Sequence, residues 1–204
     1  MNLFARFAAA AGRACAVALV GASTSLWAAG LTCPNAKSGK NGFVVERSAR
    51  QTTEVFHLDN DVVATTRYDG QTVLETVQYQ GLFQLDRIDR GRRVKYEPRT
   101  DLNGLFPLTV GRSAIAKFIT NEAGREGQLQ VEFTVRAEDD IIIGSCKYRV
   151  LKLDRKESRS NDSPRHINID YYSPDLKLIL AREYRERDGR TTLIKYDRIY
   201  QIKK

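Results

Sequence analysis

The 204-residue chain is poor in the residues that carry most enzyme and metal chemistry: it holds two histidines, three cysteines, one methionine and one tryptophan. His57 and His166 lack an accompanying thiolate cluster, which argues against a structural zinc site. No C-x-x-C pair, G-x-S-x-G elbow or glycine-rich phosphate loop occurs, so disulfide exchange, nucleophilic-serine chemistry and nucleotide binding lack their frames. Leu58–Asp61, "LDND", has spaced oxygens but not the rest of a calcium loop, and reads as a hairpin turn. Ser173-Pro174-Asp175 also reads as a turn, because proline pushes the residue before it toward an extended conformation. No catalytic residue, metal ligand or cofactor is expected.

Long hydrophobic runs are missing too. The longest uninterrupted one, Ala14 to Val20, is far short of the roughly 18 to 20 residues needed to cross a bilayer. It follows Arg6 and Arg13 and precedes small residues, the pattern of a secretory signal peptide. The expected organisation is a leader over 1–30, cut after Ala28 or Gly30, and a single domain over 31–204 with no transmembrane segment. The leader holds no twin-arginine pair, so the general secretory route and a periplasmic address are expected. Lipid anchoring at Cys33 is the weaker expectation, since Gly30-Leu31-Thr32 ahead of it makes a poor lipidation box.

Cys15 leaves with the leader, so Cys33 and Cys146 remain. An even pair in an oxidising compartment suggests one disulfide. The formal charge of +8 falls to +6, because the leader contributes Arg6 and Arg13 and no acid. Basic stretches at Arg87–Arg99 and Lys147–Arg159 alternate with apolar residues and acids, so they read as solvated strand faces. Nucleic acid is not an expected partner of an exported chain; lipid and other anionic envelope components are.

What is present is period-two alternation. Leu129, Val131, Phe133 and Val135 oppose Gln128, Gln130, Glu132 and Thr134, and Ile167, Ile169 and Tyr171 oppose His166, Asn168 and Asp170. Turn-forming clusters recur at 68–71, 89–92, 121–127, 160–164 and 187–190, and the Glu138-Asp139-Asp140 trio reads as another turn. An irregular connection at 97–107 is placed either between two hairpin-rich halves or across an open end of the sheet. The expected fold is all-β: an antiparallel meander of roughly a dozen strands forming a barrel, half-barrel or sandwich. For the last hairpin, a three-residue loop Arg187-Asp188-Gly189 puts Leu180 opposite Tyr196, Tyr184 opposite Thr192, Glu186 opposite Arg190 and Leu176 opposite Tyr200.

"GLFQLDR" (81–87), "LFPLTVG" (105–111), "IGSCKYRV" (143–150) and "YYSPDLKLILAREY" (171–184) together resemble a set of exported, β-rich proteobacterial proteins of uncharacterised function that carry a C-terminal (W/Y)YSPDL strand-start motif. The resemblance implies an all-β periplasmic domain. The hairpin series is also similar in style to the open half-barrels of periplasmic lipoprotein carriers.

The function expected is a non-catalytic envelope protein. A concave apolar face lined by Phe83, Leu85, Phe106, Leu178, Leu180 and Tyr196 would accept a lipid-like ligand or a partner's apolar segment, with Arg92, Arg93 and Lys95 at the rim for its anionic part. The alternative is a carboxylate-dependent hydrolase of envelope material, and a third reading is a structural module that docks through an exposed strand edge. The sequence leaves the oligomeric state open.

Overall fold

A computed structural model describes residues 32–159, 166–185 and 189–202. Thirteen strands run through them: β1 (Phe43–Ser48), β2 (Gln51–Leu58), β3 (Asp61–Tyr68), β4 (Gln71–Tyr79), β5 (Phe83–Asp89), β6 (Arg92–Pro98), β7 (Ser113–Glu122), β8 (Arg125–Ile143), β9 (Cys146–Arg159), β10 (His166–Ser173), β11 (Leu178–Arg185), β12 (Thr191–Lys195) and β13 (Arg198–Gln201). All pair antiparallel in one sheet, ordered β12 to β1 by chain neighbours and then β13. The meander follows from local chemistry. At Asp69-Gly70, Arg90-Gly91 and Ala123-Gly124 both central residues have positive φ, the backbone of the two-residue turn whose twist matches a hairpin.

The two ends of this ladder meet without pairing. Lys195 closes β12 and Arg198 opens β13, so only Tyr196 and Asp197 separate opposite edges of the sheet, and three peptide steps span at most about 11 Å. The sheet therefore wraps on itself yet leaves a seam, which selects the open alternatives over a fully closed barrel. This corrects the tail register. Leu180 does face Tyr196, whose N–H donates to the Leu180 carbonyl, and Tyr184 faces Thr192. Tyr200, however, pairs with Val44 of β1 rather than with Leu176. The Glu186–Arg190 pairing lies outside the described residues.

The tip of the long β8–β9 hairpin lies against that seam. Lys195 Nζ donates to the Ile142 carbonyl at 3.3 Å, and a Cβ on Gly144 would sit 3.4 Å from the Asp197 carbonyl oxygen. Cys146, at 2 % exposure, is bonded to Cys33 with their Cα atoms 5.7 Å apart. The expected disulfide thus fixes the start of the described chain to the hairpin tip.

Two apolar clusters form the core. One joins Phe43, Val45, Val55 and Val62 of β1–β3 to Ile141, Ile143, Tyr148, Val150, Leu176 and Leu180. The other joins Phe83, Ala116 and Phe118 to Leu129, Val131, Phe133, Leu151, Leu153 and Tyr172. Val150 and Leu151 are consecutive in β9 and belong to different clusters, as do Tyr171 and Tyr172 in β10. Successive side chains on a strand point to opposite faces, so this part of the sheet is buried on both. A bulge in β8 makes the change: Val135 pairs with Leu153 but Ala137 with Lys152, and the extra residue, Arg136, moves Ile141 and Ile143 to the opposite face from Val135. Each large side chain so buried is worth about 1.5–3 kcal/mol.

Two expectations change in the folded chain, and a third, left open between two placements, is narrowed. The acidic trio is not a turn: Glu138, Asp139 and Asp140 lie within β8 and face Arg149, Lys152 and Lys147 across the hairpin. Asp170, assigned by alternation to the polar side of β10, is completely buried. The 99–112 connection, with its 3-10 turn at Asn103–Leu105, folds over the second cluster, burying Leu102 and packing Leu105, Phe106 and Leu108 against it.

The Ser173-Pro174-Asp175 turn is a plug. Leu176 behind it is fully buried, and its carbonyl oxygen lies 2.9 Å from His57 Nε2. Lys177 Nζ donates to the Asp59 carbonyl at 2.8 Å. Tyr172 Oη donates to the Gln80 carbonyl, also at 2.8 Å. A Cβ on Gly81 would lie 1.7 Å from the Lys177 carbonyl oxygen, so only glycine allows this approach. The first and last motifs of the family resemblance therefore touch here.

Two outcomes are expected. Cys33→Ser should lower the unfolding free energy by about 2–5 kcal/mol, because the bond closes a 113-residue separation; urea titration measures it. His57 is held below its usual value by burial, with Lys177 adding to the effect and the Leu176 carbonyl opposing it. The unfolded chain thus takes the proton first. The contribution of His57 to stability is complete above about pH 6.5 and is lost as pH drops below it, and the melting temperature of His57→Gln should fall less between pH 8 and 5 than that of the parent.

Candidate functional site

A cavity of about 480 Å³ opens inside the wrapped sheet, within the roughly 300–1,000 Å³ typical of small-molecule sites. Its wall draws on β1 to β9 and on β11 and β12, including Thr53, Thr66, Thr76, Gln78, Gln84 and Tyr96. The apolar part of the wall includes Phe118, Leu129, Val131, Leu178, Ile179 and Leu180. The charged part is one-sided: Arg47, Arg87, Arg155, Arg159, Arg182 and Lys195 line it, against the single carboxylate of Glu157.

A buried ion network underlies this wall. Asp170 on β10 has a side chain only 1 % exposed. Arg182 of β11, directly opposite, clamps it with Nε at 2.5 Å from Oδ1 and Nη2 at 3.0 Å from Oδ2. Arg155 on β9, 10 % exposed, places Nη1 3.7 Å from the same carboxylate. Its Nε donates to Glu157 at 2.8 Å and its Nη1 to the Leu82 carbonyl at 3.1 Å. Burial on its own would raise the Glu157 carboxyl, but Arg155, with Arg182 and Arg159, outweighs it and holds the group below the ordinary carboxylate range. Burial works against the Arg182 guanidinium as well, yet the hydrogen bond and charge of Asp170 raise it further above its ordinary value. Both side chains stay ionised at neutral pH.

The other lining cations divide by partner. Arg87 donates to Asp89 at 2.6 Å. Arg47 and Arg159, both exposed, make no ion pair among the described residues. A positive wall in which Arg47 and Arg159 have no ion-pair partner among the described residues, with apolar side chains beside them, attracts a small anion that also carries apolar surface.

The sequence-predicted residues are not brought together. Phe83, Leu85 and Phe106 belong to the second cluster, where the Phe106 ring meets Phe83 edge-on at 6.2 Å. Leu178, Leu180 and Tyr196 belong to the first and do reach the cavity wall. Arg92 pairs with Glu122 and Arg93 with Asp86. Lys95, on the side of β6 opposite Tyr96, is exposed opposite Asp86. Sequence reading missed Arg155, Asp170 and Arg182. A signal for the first was there: Arg155 follows Leu151 and Leu153 at period two, on the same buried face. The other two needed the β10–β11 register, which a bulge between Tyr171 and Tyr172 shifts.

Removing one member of such a network strands the rest. Asp170→Asn should destabilise the chain by about 3–5 kcal/mol, and Asp170→Leu combined with Arg182→Met should recover part of that loss; thermal unfolding distinguishes the two.

No family model matches the chain, and no curated protein matches its sequence. Among solved structures it is similar to the hypothetical lipoprotein YmcC from Escherichia coli (K12), at 8% identity and a TM-score of 0.47, over 78% of this chain and 81% of that one. It is also similar to an exported protein with a YmcC-like fold from Bacteroides fragilis NCTC 9343, at 12% identity and a TM-score of 0.43, over 84% of this chain and 99% of that one. Likeness at this level decides nothing about ligand or activity.

Proposed function

We propose that the chain is a non-catalytic, exported envelope protein whose wrapped sheet holds a small amphipathic anion in its cavity. The carrying observation is the charge of the wall: among the described residues, six cations and one carboxylate line a 480 Å³ space, and Arg155, Arg182 and Arg87 have acidic partners whereas Arg47 and Arg159 make no ion pair there. The apolar part of the ligand rests on Leu129, Val131, Ile179 and Leu180, and its anionic group meets Arg47 and Arg159 at the exposed side. The leader-like first thirty residues and the Cys33–Cys146 bond support an oxidising compartment outside the cytoplasm. A carboxylate-dependent hydrolase works through two carboxyl groups facing one another across the site, whereas Glu157 is the one carboxylate in the described wall of this cavity.

The test uses the exported full chain and a short-chain phosphatidic acid, with the equivalent phosphatidylcholine as the control that lacks net charge. Thermal shift and calorimetry should register the anion, more weakly at high salt. The Arg47→Gln, Arg159→Gln chain should bind it about tenfold more weakly at unchanged melting temperature. Equal binding of both lipids, or of neither, would overturn the reading.

A further inference from the structure

One wall of the cavity is richer in hydrogen-bonding groups than an apolar chain requires. Thr53 of β2 stands directly opposite Thr66 of β3, and their Oγ1 atoms lie 3.0 Å apart. Thr76 of β4 pairs with Ala64, two residues before Thr66 on the same face of β3. Alternation adds Gln51 beside Thr53 and Gln78 beside Thr76, and all of these threonines and glutamines line the cavity. The threonines are buried, in positions where valine would fill the same space with no polar group to satisfy. A hydroxyl pair that shares one proton keeps a second proton to donate and lone pairs with which to accept. The same space is reached by Tyr96 of β6 and Glu157 of β9. Burial raises the Tyr96 hydroxyl above its ordinary value although Arg87 and Arg159 pull it down, so it stays a protonated donor. Both Arg155 contacts with Glu157 fall on Oε1, Nε at 2.8 Å and Nη2 at 2.6 Å, and Oε2 is left to accept from elsewhere. A phosphodiester or carboxylate cannot supply that hydrogen bond, because it offers acceptors alone and its charge is repelled by the ionised Glu157. A neutral hydroxyl both donates and accepts.

We propose, on the reading that the cavity holds an amphipathic anion, that this anion carries a hydroxylated headgroup. Its charge meets Arg47 and Arg159, a headgroup hydroxyl donates to Glu157 Oε2 and accepts from Tyr96, and further hydroxyls exchange hydrogen bonds with the threonine and glutamine wall. Glu157 and Tyr96 thereby decide which anions are held, since the arginines accept any of them. The lone carboxylate of a cationic wall so gains a use beyond pairing Arg155.

The test titrates the exported full chain with short-chain phosphatidylglycerol and short-chain phosphatidylethanol, phosphodiesters of equal charge of which only the first carries headgroup hydroxyls. Calorimetry should show phosphatidylglycerol bound about tenfold more tightly. Tyr96→Phe keeps the ring and removes the hydroxyl; Glu157→Gln keeps the shape and removes the charge. Each should reduce the preference to about threefold or less. Glu157→Gln should also tighten phosphatidylethanol, because a repelling charge is gone, whereas a mere loss of packing would weaken both lipids together. Equal affinity of the parent for the two lipids, both above phosphatidylcholine, would overturn the hydroxylated headgroup and leave the anion reading standing. A preference unchanged in both variants would overturn it as well. If neither lipid outbinds phosphatidylcholine, the anion reading falls and the headgroup with it. Glycerophosphoglycerol, the same headgroup without acyl chains, separates a lipid from a water-soluble ligand: binding as tight as that of the lipid would uphold the hydroxyl recognition and overturn the apolar part of the reading.

Discussion

The structure depends on one topological constraint, which is that a thirteen-strand ladder must bend until its two ends stand side by side. Tyr196 and Asp197 are too few to reach across an open sheet, so the curvature of every other strand is bound to that short link. Twist alone does not pack the join, because β12 and β13 share no ladder. The gap is covered by the hairpin tip at Ile142–Cys146, and the Cys33–Cys146 bond holds the tip there. Chain entropy gives this bond its value. It closes a long loop in the unfolded chain and joins two segments that no strand pairing connects.

A hairpin that leaves the wall to cover the join must change which face it buries. The extra residue at Arg136 does this in β8, and it is why Val150 and Leu151 serve two different clusters. β9 to β11 consequently lie between apolar layers, an unusual position for antiparallel strands, which commonly keep one face wet. Polar groups on these strands are costly unless paired. Asp170 meets that demand with Arg182 and Arg155, and Arg155 with Glu157 and the Leu82 carbonyl. The network satisfies buried charges, and in doing so it holds the guanidiniums along the cavity wall. Structural need and ligand chemistry thus share the same side chains.

Much of the fold was legible in order of chain. Leu129 to Val135 did alternate into the core, the two-residue turns fell at the glycines, and Leu180 came opposite Tyr196 as expected. What failed was long-range or bulge-dependent. Tyr200 left the tail hairpin for β1, because a four-residue strand gains a partner there that continues the sheet. Glu138–Asp140 looked like a turn because acids cluster in turns, yet each has a cation across the hairpin. The cavity was the least legible feature. The residues chosen for a single apolar face were divided between two clusters, and the arginines of the wall came from strands far apart in sequence.

The sequence by itself determined that this chain would form short antiparallel strands, joined by turns, and it led to the expectation that Cys33 pairs with Cys146. Those properties follow from period-two patterning, local backbone chemistry and a cysteine count, all of which act over a few residues. Only the tertiary structure decided where the ladder ends meet, which face each half of β9 buries, and that Asp170 lies inside. Those outcomes depend on one inserted residue in β8 and on which distant strands come to lie opposite each other, and alternation within a single strand carries no information about either.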